Sequence, residues 1–582
     1  MGQLVLVAHG GQVACMLFLD DARIATLQKP TKTMLKSPFV VFFIVHILAA
    51  CASPNDFVLE STTGLGSTDP IAGVFTTATA EVLQETTLTP SYGSVPAWLC
   101  GSYVKQSASK FEEKSRHLTH TFDGFGKILR YKFYGNGTVS LRSNFLRSNF
   151  YNVSVATGDI CPSRLLGTTI PHEPNGKALT DNCTDNFNVN VAEIAGNIVL
   201  TSDYTSAKGV GKVLNVNDMT TVPHVWNDTW THYFDKITAA HPQRLANGDT
   251  VNFVMRINPL AIAGMGKHSI IVYRVDHITN QRDQIATIKV KKLPYIHSFT
   301  VTQNYIVLAA APFTWELAKI MAAKPVMSSL QWSPEDGADL YVVGLATGKV
   351  SQHTTDAFFA FHHVNGFEDG AFIYMDLLAN NMSTGSVPSS GLTIHNMLNA
   401  TIRDKLQESA EYRRYKIPLS GRDSADGILG HVNYTSFPLT GADGRKYATV
   451  ELPRINAQKN TEKHCYWYAW APHAGGSEKF ADTAIIKVDI CRGASSKSNV
   501  IPWFVEGHFP SEPIFVSAPN PSAEDDGVIL SSIFDGVKGV NYLAIIDAKT
   551  MKTVSTLYCQ DDWAHLMSFG IHGSFFGSTC GV

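Results

Sequence analysis

HSIIVYRVDHITNQRDQIATIKV, residues 268–290, decides the fold class. Two runs rich in Ile, Val and Tyr flank a polar centre holding Asp276 and Asn280, the pattern of an antiparallel β-hairpin. The pattern returns in GKILRYKFYGNGTVSLRS (126–143), DLYVVGLATGKVSQH (339–353) and NYLAIIDAKTMKTVSTL (541–557). From Pro96 onward most of the chain is short apolar runs divided by Gly-, Asn- or Asp-centred turns. That texture predicts one large all-β domain. A closed radial array accounts for it better than a sandwich, because radial repetition leaves only short, protected strand edges. No sequence repeat is obvious across the hairpins.

Composition agrees with a folded chain of apolar character. Of 582 residues, 44% are hydrophobic, 10% aromatic and only 17% charged, which excludes a mostly disordered protein. Lys plus Arg (47) nearly cancel Asp plus Glu (50), so the basic surplus that a nucleic-acid binder needs is missing. Two stretches read as helical: 401–416 (TIRDKLQESAEYRRYK) and 313–327 (FTWELAKIMAAKPVM). The second carries Phe313, Trp315, Leu317, Ile320 and Met321. It reads either as a core helix or as an apolar surface for a membrane or a lipophilic entrance.

The N-terminus reads as a targeting region. Phe39–Ala50 is almost purely apolar, follows Lys29, Lys32 and Lys36, and precedes Cys51-Ala52-Ser53, as in a secretory signal peptide. Met34 is the expected physiological start. Residues 1–52 are thus an upstream extension plus signal, and 53–95 a Ser/Thr/Gly-rich lead-in. The single large domain occupies 96–582. The expected compartment is the secretory pathway or the exterior, with a peripheral membrane or plastid location as the alternative. Sequons at Asn136, Asn152, Asn182, Asn227, Asn381, Asn399 and Asn433 agree with secretion. Cys161 with Cys183, and Cys465 with Cys491, are spaced for local pairing. Oligomeric state is left open.

Twenty-one histidines are generous, and histidine is the commonest metal ligand. Four stand in compact settings beside strand-like text: His241 in TAAHPQ, His297 in YIHSFT, His362 in FAFHHVNGFED and His572 in GIHGSFF. No short spacing pairs them, so a shared site must be assembled from distant strands.

Eleven ordered blocks sharpen this reading. They are PAWLCGSY (96–103), HTFDGFGKILRYKF (120–133), FLRSNFY (145–151), AAHPQ (239–243), YIHSFTVTQNYIVL (295–308), FHHVNGFEDG (361–370), RRYKIPL (413–419), ELPRIN (451–456), SEPIFVSAPNPSAEDDGVIL (511–530), LAIIDAKTM (543–551) and GIHGSFF (570–576). In these the chain resembles the carotenoid cleavage oxygenase family, which includes β-carotene oxygenases and a retinoid isomerohydrolase. The resemblance implies a seven-bladed β-propeller with a helical cap over one face. It implies one non-haem Fe(2+) per chain, held by His241, His297, His362 (rather than His363) and His572. It implies acids behind the ligands at Glu451, Glu512 and Asp203. The family usually has Glu at the last position, so the bond from Asp203 to His297 is expected to be long, water-bridged or absent.

The implied reaction is O2-dependent scission of a C=C bond in a lipophilic polyene, with peripheral membrane contact for substrate uptake. That implication favours the membrane or entrance reading of 313–327. VKQSASKFEE after PAWLCGSY departs from the family's Arg-Asn-Gly-Pro stretch. Isomerohydrolase chemistry, or carotenoid binding without turnover, are the alternatives.

Overall fold

The computed structural model describes residues 69–579, except 115, 173–182, 207–208, 263, 323, 381, 383–389, 407–409, 420–427 and 476–478, and the backbone of three short N-terminal strands. Those strands, Gln3–His9, Gln12–Phe18 and Ala25–Thr26, form a small antiparallel sheet in a unit spanning Met1–Gly64. The expected signal segment at 34–52 lies outside the described residues. A second unit, Leu65–Val582, contains everything that follows.

That unit is a seven-bladed β-propeller, each blade an antiparallel sheet numbered here in ring order. Blade 1 runs outward through Phe569–Gly577, Cys100–Lys110, Phe125–Tyr134, Val139–Phe145 and Val82–Leu88. Blade 2 runs through Asn190–Ile194, Asn197–Ser206, Gly209–Leu214 and Thr221–Pro223. In blade 3, Asp235–Thr238 and Gln243–Arg244 share the inner position against Thr250–Arg256, followed by His268–Val275 and Arg282–Val290. Blade 4 holds Thr300–Val301, Tyr305–Ala310, Ala338–Gly344 and Val350–Thr355. Blade 5 holds His363–Asp369, Phe372–Asn380, Ala410–Pro418 and Tyr434–Ser436. Blade 6 holds Glu451–Arg454, Tyr466–Ala471, Ala484–Asp489 and Val500–Trp503. Blade 7 begins with His508–Pro510 and Ile514–Ser517 and continues through Gly527–Asp535, Val540–Asp547 and Thr553–Tyr558.

The hairpin at 268–290 shows why the runs are apolar on both faces. Ile270 and Val272 sit in one core cluster, whereas Ile271 and Tyr273, one residue out of phase, sit in another. Successive side chains of a strand point to opposite faces, and each blade is sandwiched between two neighbours. Both faces therefore bury apolar surface, at roughly 1.5–3 kcal/mol per large side chain.

The ring is closed by the chain's two ends. Blade 1 combines a late strand, Phe569–Gly577, with early ones, and Tyr92–Gly93 adds the outer edge to blade 7 by pairing with Ser555 and Thr556. The residues expected as a loose lead-in are thus partly structural. From Asp69 they supply a 3-10 turn (Pro70–Phe75) with Ile71 and Phe75 buried, then edge strands of two blades. The edge strand Val82–Leu88 (VLQETTL) is largely polar and exposed between its buried ends, a texture that composition alone reads as linker.

Both expected helices are corrected. Phe313–Trp315 is a strand paired with Leu330–Trp332; only Leu317–Met321 is helical, and Met327–Ser329 is a 3-10 turn. At 401–416 the helix stops at Arg403, and Ala410–Pro418 is a strand of blade 5. There Tyr412 and Tyr415 are buried, while Arg414 pairs with the buried Asp376. Those charges serve the interior, so their density misreads as a solvated helix.

Cys161–Cys183 and Cys465–Cys491 are disulfides, Cys100 is also disulfide-bonded, and Cys559 is a buried free thiol. Among the described residues no helix is long and apolar enough to cross a membrane.

Candidate metal centre

Seven residues from seven blades meet on the axis. His572 comes from blade 1, His241 from blade 3, and His297 and His362 from the segments entering the inner strands of blades 4 and 5. Asp203 comes from blade 2, Glu451 from blade 6, and Glu512 from the break between the two inner strands of blade 7. All four histidines are buried, with one ring nitrogen of each lying within 4.8 Å of the others. Nε2 of His241 is 3.1 Å from Nε2 of His297, and Nε2 of His362 is 3.1 Å from Nε2 of His572.

In three of the rings the opposite nitrogen faces a carboxylate. His297 Nδ1 lies 2.8 Å from Asp203, His362 Nδ1 2.6 Å from Glu451 and His572 Nδ1 2.8 Å from Glu512. Asp203 therefore reaches His297 directly despite its shorter side chain, against the expectation of a long, bridged or missing bond. Two further donors hold it: the Tyr295 hydroxyl at 2.8 Å and the Ala240 N–H at 3.1 Å. Glu512 accepts from Arg454 Nε and from the Gly573 N–H, each at 2.8 Å. Gly573 is needed for packing as well, since a Cβ there would stand 2.8 Å from the carbonyl oxygen of Val104.

These bonds assign the protons. A neutral imidazole has one N–H, and a carboxylate can only accept, so opposite Asp203 and Glu512 the proton sits on Nδ1 and the lone pair on Nε2, and the same holds for His362 while Glu451 is ionised. Burial, with the neighbouring imidazoles, holds His241, His362 and His572 well below the usual histidine range, so they are neutral at physiological pH. Bare nitrogen lone pairs pointed at one another repel unless a cation lies between them. The donor set thus fits a metal ion of the kind that prefers imidazole nitrogen. Burial also pushes Glu451 up to about 7.

His363 is not part of the cluster. Its Nδ1 meets Thr300 Oγ1 at 2.6 Å, because adjacent residues at a strand start face opposite ways. Ser298 clamps the turn between them, donating to the Phe361 carbonyl and accepting from the His363 N–H.

A cavity of about 240 Å³ opens on this centre, with His297, His362 and His572 in its wall. Its lining is rich in aromatic side chains, among them Phe75, Phe122, Phe359, Phe361, Phe509 and Phe569. The apolar patch expected at 313–321 is not at the surface. Phe313, Trp315 and Leu317 are buried and Ile320 is partly buried against the same core; the side chain of Met321 is not described. Their strand carries the approach to the ligand instead. Tyr295 N–H donates to the Phe313 carbonyl and Trp315 N–H to that of Leu293, and the Tyr295 ring packs edge-on against Trp315. Larger exposed apolar side chains occur at Leu260, Ile262 and Met265.

Sequence reasoning missed Tyr295, Arg454 and Asn190. Tyr295 stands two residues before His297, and Arg454 lies inside ELPRIN, so both were near a recognised block. Asn190, whose Nδ2 is 3.4 Å from His241 Nδ1, had no local signal.

Residues 75–577 match the family model described as RPE65, retinal pigment epithelial membrane protein. The chain belongs to this family, that of RPE65 and the carotenoid cleavage oxygenases. Among curated relatives, it is 26% identical over 535 residues to a mitochondrial carotenoid-cleaving dioxygenase of Macaca fascicularis, covering 83% of this chain and 91% of that one. It is 25% identical over 530 residues to a β,β-carotene 15,15′-dioxygenase of Homo sapiens, covering 83% and 91%. Among solved structures, cobalt-substituted apocarotenoid oxygenase of Synechocystis superposes with a TM-score of 0.70 at 21% identity, covering 88% of this chain and 98% of that one. An apocarotenoid oxygenase/RPE65 chimera gives 0.69 at 21% identity, over 88% and 98%.

Proposed function

We propose that this protein is a non-haem Fe(2+) dioxygenase that cleaves a C=C bond of a carotenoid or apocarotenoid with O2, giving aldehyde or ketone products. The observation that carries the reading is a four-histidine centre opening on a cavity rich in aromatic side chains, with His297, His362 and His572 in its wall. The curated relatives named as carotenoid-cleaving dioxygenases support it. His241, His297, His362 and His572 would hold one iron, whose chemistry when bound is the activation of dioxygen.

The chain's own residues do the rest. Asp203, Glu451 and Glu512 fix three imidazoles in the ligating tautomer and raise their basicity. The phenylalanine wall excludes water and holds a flat, apolar polyene beside the centre. No nucleophile or acid–base pair is required of the protein. Substrate uptake by peripheral contact with a membrane belongs to the same reading, and the exposed Leu260, Ile262 and Met265 offer a surface for it. The disulfides support an oxidising compartment, and N-terminal sequencing of the native protein tests the signal peptide.

Iron-loaded protein incubated under ¹⁸O₂ with β-carotene, and separately with a retinyl ester, tests the activity. Labelled aldehydes or ketones are expected. Isomerised alcohol from the ester, or pigment recovered intact, would replace the reading with an isomerohydrolase or a binding protein.

A further inference from the structure

Four charged side chains of Asp, Glu, Lys or Arg line the aromatic cavity: Asp123, Arg164, Asp203 and Glu451. Three have partners. Asp203 and Glu451 are bonded to His297 and His362. Asp123 accepts from the Leu166 N–H at 2.7 Å and the Gly167 N–H at 2.8 Å. Arg164 stands apart: among the described residues no carboxylate, carbonyl or hydroxyl receives its guanidinium.

The position is built rather than incidental. The backbone around Arg164 is pinned on several sides. Asp123 holds Leu166 and Gly167, the Val326 N–H donates to the Leu165 carbonyl, and the Met327 N–H donates to that of Leu166. On the N-terminal side, Ser163 donates to the Cys183 carbonyl, beside the Cys161–Cys183 disulfide. Tyr204 also lines the cavity, and its phenol oxygen is enclosed without a hydrogen-bond partner. Burial pushes the Tyr204 phenol above its usual range while the Arg164 charge opposes that rise, which places the two groups within each other's field.

A guanidinium stays charged at any physiological pH, and a cation facing an apolar cavity without a counter-ion is unfavourable. The three carboxylates of the cavity are committed and Arg164 is only half-buried, so an occupant that displaces water from the guanidinium has to supply the compensation itself. We infer that Arg164 anchors the end of the substrate, and that the preferred substrate is a polyene terminating in a carboxylate. The inference rests on reading the cavity as a polyene site. A carboxylate takes the planar guanidinium in a paired, directional contact that a hydrocarbon end cannot make. Anchoring one end also sets how far along the polyene the metal centre falls, so Arg164 selects the bond that is cut.

Binding is measured by quenching of tryptophan fluorescence on the full chain under anaerobic conditions, so that nothing turns over. The probes are a long-chain apocarotenoic acid, its methyl ester and β-carotene. The acid is expected to bind about 10- to 100-fold more tightly than the ester, the range of a charge-assisted hydrogen bond. R164M is expected to abolish that preference while leaving ester affinity unchanged, and R164K to keep part of it. R164Q serves in its place if R164M does not fold. Equal affinity of acid and ester for the native protein, or a preference that survives in R164M, overturns the proposal. Failure of all three probes to bind overturns the polyene reading itself.

Discussion

His362 and His363 are neighbours in the chain with separate duties. The first faces three other imidazoles across the axis; the second bonds Thr300 between blades 4 and 5. Iron analysis of purified variants should therefore find metal lost from His362→Ala and retained by His363→Ala. Loss in the second with retention in the first would reverse the assignment. Behind the ligands, Glu451→Gln and Glu512→Gln replace one acceptor oxygen by an amide that can donate to the ring nitrogen. That disturbs the tautomer on which the Nε2 lone pair depends. Each exchange should weaken iron affinity about 10- to 100-fold, read by competition with a chelator. Affinity unchanged in both would separate these acids from metal holding.

At the scale of elements, the edge strand Val82–Leu88 belongs to blade 1 although its text reads as linker. Leu88 is 3% exposed and packs in the core cluster shared with Leu129, Leu141 and Leu543. Leu88→Ala should cost ~2–5 kcal/mol in urea unfolding, the range for emptying a buried leucine site. A midpoint unchanged from the parent would return this segment to the role of a lead-in. What was legible follows the same division. The hairpins at 268–290 and 541–557 carry local signals, alternation and turn formers, and both are hairpins of single blades. Phe313–Trp315 and Ala410–Pro418 carry no such signal. Their conformation comes from tertiary pairing with Leu330–Trp332 and Phe372–Asn380, which outweighs a local preference for helix. The ligand set was readable only through the ordered blocks, because no two of its histidines are near in sequence. Arg164 and Tyr204 lie outside every block, and their importance depends on a cavity that no local pattern encodes.

The whole molecule should be sensitive to acid. His224 and His464 are buried and His565 is half-buried, all away from the four-histidine cluster, and burial is the first cause that lowers each to about 4. Nearby cations add to the effect: Arg282 at His224, Arg414 and Lys459 at His464, and Lys127 at His565. Unfolding returns these groups to an ordinary value near 6.5, so the unfolded chain binds more protons than the folded one between those limits. Their contribution is complete above pH 6.5 and is lost as pH falls toward 4, at up to roughly 3 kcal/mol per histidine. Melting temperature should fall steeply across that interval. A flat profile would contradict the neutral, buried state of these rings.

The axial residues are synthesised in the order in which they stand around the ring, from Asp203 of blade 2 to His572 of blade 1. Asp203, His241, His297, His362, Glu451 and Glu512 all precede His572, which lies on the strand that completes blade 1. A nascent or truncated chain that stops short of Phe569 lacks both the closing strand and the fourth ligand. Closure of the ring and completion of the four-histidine cluster are therefore a single late event. An unfinished chain presents at most an incomplete set of imidazoles, so on the proposed reading full iron binding would itself be a signature that the last blade has been zipped shut.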